Sequence, residues 1–450
     1  MSRETQTTPK GAKRMRIRAG ITVLTLALVA GCDTGLNLNN PNSPTQETAL
    51  ASIDGIVATE LGMQDQYAQS VLSYVRAPAL ITDEWGTASK SLAADQSLFS
   101  GLAIDASYGV VSEPYYNTYR IARTADAIIG TVPKLGGLSA GFAAGLTANA
   151  KLFKAMALGM AAQQYESLPI DAAVQGGTPV ARAAAFAEVI RLLESARSDV
   201  ANVSDADLSG FTTRALSPGV DLRNTIDAML ARYYLISGQY QNAFTAAGRV
   251  NLAKTSFLTY PGTDINPIYN YSVVAGYVAP LKSWARAAEP GDKRVPFWVD
   301  TLATPPTGNP PTLELAQFNM FGHRNDPFPL YLPGEMRLIQ AEALMRLPNA
   351  ATSLQAAIDL VNQVRAEGTT AVPAPANTPG AQLGPLTTAT LDTPNKVLAQ
   401  IAHERRFELF SQGLRWEDIR RFTGLAGGTA KANFLPMPQG ECTTNPNAGC

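Results

Sequence analysis

TPNKVLAQIAHERRFELFSQGLRWEDIRR, residues 393–421, is the stretch whose reading decides the fold. Thr393 followed by Pro394 has the form of an N-cap and a first-turn proline, because the proline lacks an N–H that the first turn would leave unpaired anyway. Ile401, Glu404, Arg405, Arg406, Glu408, Leu409 and Phe410 continue that helix until Gly413 breaks it, and Arg415, Trp416, Asp418, Ile419, Arg420 and Arg421 form a short second one. Glu404 and Glu408 lie one turn apart on one face, and Arg405, Arg415 and Arg421 could reach them or Asp418 as bidentate ion pairs. Two carboxylates side by side are also the equipment of a general acid and base. Adjacent arginines would hold both ionised and leave neither a proton to donate, so the pattern favours a charge lattice that docks two helices. Trp416 reads as a core anchor.

Outward from this stretch the pattern stays helical, with apolar residues recurring at three and four. Phe186, Val189, Ile190, Leu193, Ala196 and Val200 line one helix, and Met336, Leu338, Ile339, Ala343, Leu344 and Leu347 another. Further helices are expected near residues 47–66, 113–131, 149–166, 222–237, 239–249, 353–366 and 394–412. Two segments have the form of tetratricopeptide-type pairs. In one, Ala231, Tyr234 and Leu235 precede Gly238, Tyr240 and Ala243; in the other, Ala341–Leu344 precede Asn349 and the helix of Ala356, Ala357, Leu360 and Val361. A 34-residue repeat is absent, so these are degenerate units rather than a regular solenoid. Between them run tracts rich in Gly, Pro and Thr at 132–147, 201–221, 251–312 and 368–393, and loops of that length are usually functional or disordered. The third also carries Tyr260, Tyr269, Tyr271, Tyr277, Trp284, Phe297 and Trp298.

The chain has 450 residues, 36 Lys plus Arg against 37 Asp plus Glu, and only 16% charged residues. Such a balance lacks the cationic footprint a nucleic-acid partner requires. Two His and three Cys leave little for metal ligation, so no metal and no cofactor are expected. The charge is unevenly placed. Arg3, Lys10, Lys13, Arg14, Arg16 and Arg18 precede an apolar run, Ile21–Ala30, that is too short to span a bilayer and has the shape of a secretory signal. Val29, Ala30, Gly31 and Cys32 resemble the lipobox of bacterial lipoproteins, which implies acylation of Cys32 and cleavage before it; the competing reading is an ordinary signal peptide with a chance cysteine. Removing residues 1–31, with six cations and one anion, takes the formal charge from -1 to -6. The Asn- and Pro-rich stretch after Cys32 reads as a tether, giving a signal at 1–31, a lipidated tether at 32–46 and a single helical domain at 47–450. Cys442 and Cys450 then remain as an even pair, read in an exported protein as a disulfide closing a small loop, or else as two thiols on a frayed tail.

Taken in order, these blocks resemble the SusD/RagB family of surface lipoproteins in nutrient uptake. The resemblance rests on Cys32 with its tether, Tyr119–Ile129, Lys151–Pro169, the pair around Gly238 and Tyr240, and Phe328–Leu332 with Glu335, Leu338 and Ala341–Ala343. Asn362, Val364 and Arg365 follow, then Glu404–Arg421 and Leu435–Gln439 with Asn445 and Pro446. It implies an all-α fold of tetratricopeptide-like helical pairs with long ligand-binding loops. It also implies an outer-membrane lipoprotein, held to the membrane by its acyl anchor, that passes an oligosaccharide or other nutrient to a SusC-like TonB-dependent transporter.

A glycan binder needs flat aromatic faces for sugar C–H groups and charged or amide groups for hydroxyls, all at an open surface. Arg76, Asp83 and Trp85, and the group Tyr269, Tyr271, Trp284 and Trp298, are the candidates, with burial between helices as the competing fate of each aromatic. Two other classes stay open: an envelope scaffold that holds protein partners on its helical pairs, and a helical glycoside hydrolase, for which no carboxylate pair in a cleft is marked.

Overall fold

Among the described residues, five of the longer helices begin where a short polar side chain takes up an otherwise unpaired N–H: Ser52 accepts from Gly55, Ser139 from Phe142, Ser204 from Asp207, Asp221 from Asn224 and Thr393 from Lys396. The computed structural model describes residues 49–172, 176–366, 379–425 and 427–450. The expected signal, Cys32 and the tether therefore lie outside the described residues. In chain order the main helices are α1 (Ile53–Ile81), α2 (Ala93–Ser100), α3 (Gly109–Thr131), α4 (Ala140–Gln164), α5 (Arg182–Val200), α6 (Asp205–Arg214), α7 (Leu222–Ile236) and α8 (Tyr240–Arg249). They continue as α9 (Pro333–Arg346), α10 (Leu354–Ala366), α11 (Pro394–Glu408), α12 (Arg415–Arg421) and α13 (Gln439–Thr444).

Each long helix packs on the next: α1 on α3, α3 on α4, α4 on α5, α5 on α7, α7 on α8, α8 on α9, and α9 on both α10 and α11. The result is the expected all-α frame of helical pairs. One apolar core runs from α1 through α9 and takes in Phe407, Phe410 and Trp416, while a second fills the space between α9, α10 and α11 with Leu338, Ile358, Val361, Val397, Ile401 and Phe422. Leu50–Cys450 pack as one unit.

Two helices run well past their expected limits, for different reasons. α1 continues from residue 66 to Ile81 because its second half is buried nearly all round, which erases the one-sided apolar period that marks a helix at the surface. α4 begins at Ala140, inside the tract expected to be a loop, because its glycines serve close packing. A Cβ at Gly145 would stand 2.3 Å from the Phe211 ring of α6, and one at Gly159 would stand 2.2 Å from the Tyr233 ring of α7. The tract 201–221 likewise contains α6, and α2 lies in a segment without an expected helix.

Short antiparallel ribbons tie the loops to this frame: β1 (Trp85–Thr87) with β5 (Val278–Pro280), β2 (Ser167–Leu168) with β3 (Val180–Ala181), β4 (Ser256–Leu258) with β8 (Phe328–Tyr331), and β6 (Val299–Asp300) with β7 (Gln317–Phe318). Trp85 sits opposite Pro280 and Thr87 opposite Val278, so the 251–332 region is sewn to the end of α1. The C-terminal segment returns to the first third of the chain. Lys431 N–H donates to Ile81 O, Leu435 N–H to Gln164 O and Gln439 N–H to Ala106 O. The tail closes with a disulfide between Cys442 and Cys450.

Candidate functional site

Beneath the C-terminal signature is a buried ion-pair lattice. Arg405 reaches Asp418 at 2.9 Å, and Arg421 bridges Asp418 at 3.0 Å and Glu342 at 2.9 Å. Burial alone would raise the Asp418 carboxyl, but Arg405 and Arg421, with Arg415 behind them, hold it below its ordinary value. Arg415 also donates to Gly427 O at 2.5 Å. Glu404 is held by residues that no sequence spacing marked, Arg294 at 2.7 Å and Arg365 at 2.7 Å, and Arg294 also lies 3.8 Å from Glu408. Arg365 extends the lattice to Glu289 at 2.6 Å. Both Glu404 and Glu408 are buried, so they dock α11 and are not an acid–base pair open to substrate.

The tryptophan candidates need correction. Trp85 is 0% exposed and donates its Nε1–H to Ser411 Oγ at 2.7 Å. Trp284 is buried against Phe410, ring centres 4.0 Å apart, and Trp298 is buried with its Nε1–H on Phe407 O at 2.8 Å. None presents a face to ligand. The end of α11 brings Phe407 and Phe410 against the 282–298 segment, and the two indoles fill that space as packing groups, Trp298 with an acceptor and Trp284 by ring contact alone. Trp416 is buried too, its Nε1–H on Ala432 O.

The remaining candidates divide. Asp83 stands at a positive φ of 59° on the turn leaving α1, half-exposed and paired with Lys431. Arg76 and Tyr271 are brought together by Asp95, which the sequence reading did not single out. Arg76 Nε lies 2.6 Å from one carboxylate oxygen, the Tyr271 hydroxyl donates to the other at 2.6 Å, and the Arg76 guanidinium sits 4.5 Å over the Tyr271 ring. Arg76 and Asp95 are buried and so position Tyr271 rather than meet solvent. Tyr271 also packs on Tyr277 with centroids 4.9 Å apart, and Tyr269 is half-buried on the turn that Asn266 caps.

Tyr271 lies within a π-helical turn, Asn270–Val274, whose buried Ser272 and exposed Val273 and Val274 form one wall of a cleft of about 310 Å³. Lys90, Thr304–Pro306 and Ala316–Phe318 complete it. Val274 is 60% exposed and Leu302, on the loop that supplies Thr304, is 95% exposed. Phe318 meets Trp85 edge-on at 5.5 Å, so a buried tryptophan fixes the cleft wall from behind. The lining offers aliphatic surface with Lys90, Gln317, Ser272 and Thr304 as hydrogen-bonding groups, and it contains no carboxylate.

Solved structures with this arrangement of helices share little sequence with it. A SusD-like carbohydrate binding protein from Bacteroides fragilis superposes with a TM-score of 0.65 at 15% identity, covering 89% of this chain and 99% of that one. Another, from Bacteroides vulgatus, gives 0.65 at 14%, covering 87% and 97%. A laminarin binding SusD-like protein gives 0.61 at 17%, covering 87% and 98%. Residues 314–448 match the SusD family. The C-terminal part of the chain matches the SusD family, and the whole shares the fold of SusD-like structures. No curated protein matches it. The SusD match takes in α9–α13 and the lattice acids Glu342, Glu404 and Asp418, while Lys90 and the 272–306 wall of the cleft precede it. Most of the ion-pair lattice lies in the stretch that matches, with Arg294 and Glu289 before it, and most of the cleft is built from residues outside that match.

Proposed function

We propose that this chain is a non-catalytic binding subunit that takes an oligosaccharide on its loop face and delivers it to a TonB-dependent outer-membrane transporter, anchored through acyl chains on Cys32. The observation that carries the reading is the 310 Å³ cleft of aliphatic and polar side chains without a carboxylate, held rigid by the Trp85–Phe318 contact and by the Arg76–Asp95–Tyr271 cluster. Sugar rings present C–H faces that pack on such surface and hydroxyls that pair with Lys90, Gln317, Ser272 and Thr304. The carbohydrate and laminarin binding proteins that share the fold support this ligand class. No helix among the described residues is long and apolar enough to cross a membrane, which is compatible with a lipid anchor. The test is a glycan array probed with the full-length protein in detergent. Retention of a neutral oligosaccharide, weakened about tenfold by Val274→Asp, is expected. Hydrolysis of the retained sugar would overturn the non-catalytic role, and outer-membrane pull-downs without a TonB-dependent barrel would overturn delivery.

A further inference from the structure

The face of α3 opposite the core carries Tyr116, Tyr119, Arg120 and Arg123, spaced at i, i+3, i+4 and i+7, so two phenol rings and two guanidinium groups form one stripe. Tyr116, Arg120 and Arg123 are exposed. The stripe forms one wall of a hollow of about 440 Å³, whose opposite wall is Glu441, Thr444 and Asn445 of the C-terminal tail, with Asp171 at its side. Lining and volume make this a formed site at the smaller end of the range for small-molecule ligands, about 300–1,000 Å³.

Its parts are held in place by bonds that leave ligand-facing groups to spare. Tyr119 donates its hydroxyl to Pro169 O at 2.6 Å and Arg123 its Nε–H to Ala172 O at 2.8 Å, which fixes the ring and the guanidinium. Asn445 donates to Glu441 at 2.6 Å and to Gly177 O at 2.9 Å, and the Cys442–Cys450 disulfide ties that wall into a closed loop. Tyr115 lies behind the stripe, 2% exposed, with its hydroxyl beside the Tyr119 hydroxyl and the Glu441 carboxylate. Burial and then the Glu441 carboxylate raise both the Tyr115 and the Tyr116 hydroxyl, so both remain protonated and able to donate.

Charge selects the ligand. Arg120 and Arg123 face Glu441 and Asp171, two cations against two anions. An anionic ligand would meet both carboxylates and a cationic one both guanidiniums, whereas a neutral polyol can accept from the guanidiniums, donate to the carboxylates and lay its C–H face on tyrosine. We propose that this hollow is a second binding site, for a neutral carbohydrate, separate from the loop cleft. The two share no residue. It shares with the function proposed above only the chemical class of the ligand.

The test is calorimetric titration and saturation-transfer NMR of the full-length protein with laminarihexaose, maltohexaose and xylohexaose. Expected is a sugar whose binding survives Val274→Asp and falls about tenfold in Tyr116→Ala and Arg120→Ala, with Tyr116→Phe close to wild type because it keeps the ring face. Binding lost in Val274→Asp and untouched by the α3 variants overturns this site and leaves the cleft standing. Binding lost in the α3 variants and untouched by Val274→Asp overturns the cleft and leaves this site standing. Failure of all three sugars on the wild-type protein, or displacement of the bound sugar by glucuronate more readily than by glucose, overturns the neutral-carbohydrate assignment here.

Discussion

Replacing Glu60 with Gln should change how stability depends on pH, in a direction fixed by the structure. Glu60 lies on α1 with no exposure, accepts one hydrogen bond from Asn149 Nδ2 at 2.7 Å, and its second oxygen has no hydrogen-bond partner among the described residues. Burial pushes its carboxyl from the ordinary 4.5 up to about 8, against a smaller opposing effect of the Asn149 bond. In the folded protein it is therefore protonated at neutral pH, while in the unfolded chain it has already ionised. Between about pH 4.5 and 8 the folded state holds one more proton, so this residue makes stability fall by about 1.4 kcal/mol for each pH unit gained, a loss that levels off once the folded group also ionises. Gln has nearly the same shape, keeps an acceptor for Asn149 and does not titrate. Urea unfolding of the full-length protein, followed by fluorescence of its buried tryptophans, measures the effect at about pH 5.5 and about pH 7.5. The variant should gain on wild type by about 2–3 kcal/mol between those two conditions. Glu84, which burial also raises to about 8, is present in both proteins and cancels in the difference. A gap between the two proteins that does not change with pH would refute the reasoning, since it would mean that Glu60 carries the same charge folded and unfolded.

Other perturbations probe the frame and the tail. Gly159→Ala places a methyl 2.2 Å from the buried Tyr233 ring and should cost about 1–3 kcal/mol; an unchanged urea midpoint would show that α4 and α7 can part without penalty. Arg294→Met strands Asp292, Glu404 and Glu408 without their shared cation and should cost about 3–5 kcal/mol, with partial recovery on adding Glu404→Gln. A double variant no better than the single one would argue against the electrostatic account. Cys442→Ser opens a loop of eight residues' separation and should lower stability by about 2.5 kcal/mol, a loss that dithiothreitol should reproduce in wild type and not deepen in the variant.

What the sequence made legible follows from range along the chain. The helix starting at Thr393 and the pair around Gly238 are set by neighbours within a turn or two, and local chemistry predicts them, although that helix ends at Glu408 rather than running on to Gly413. Contacts between distant residues were not legible. Arg294 and Arg365 hold Glu404 from 110 and 39 residues away, and the Trp85 indole meets Ser411 across 326 residues, so an exposed face and a core anchor looked alike in sequence. Gly145 suggested loop because the partner that needs its smallness, Phe211, lies on another helix. The α3 stripe was the one missed site with a local signal. Tyr116, Tyr119, Arg120 and Arg123 sit at helical spacing, and only the return of the tail turns that spacing into a hollow.

The return of the C-terminal segment to Ile81, Gln164 and Ala106 also bears on the order in which the protein can assemble. The ends of α1 and α4 find their last backbone partners in residues made some 270 to 350 positions later. At about 5–20 residues per second, α1 waits on the order of tens of seconds before its cover exists. During that interval the N-terminal third holds unsealed apolar surface, and folding can finish only after synthesis does. A chain truncated anywhere before Lys431 should therefore be recognised by cellular proteases as incomplete, whichever of its helices have already formed.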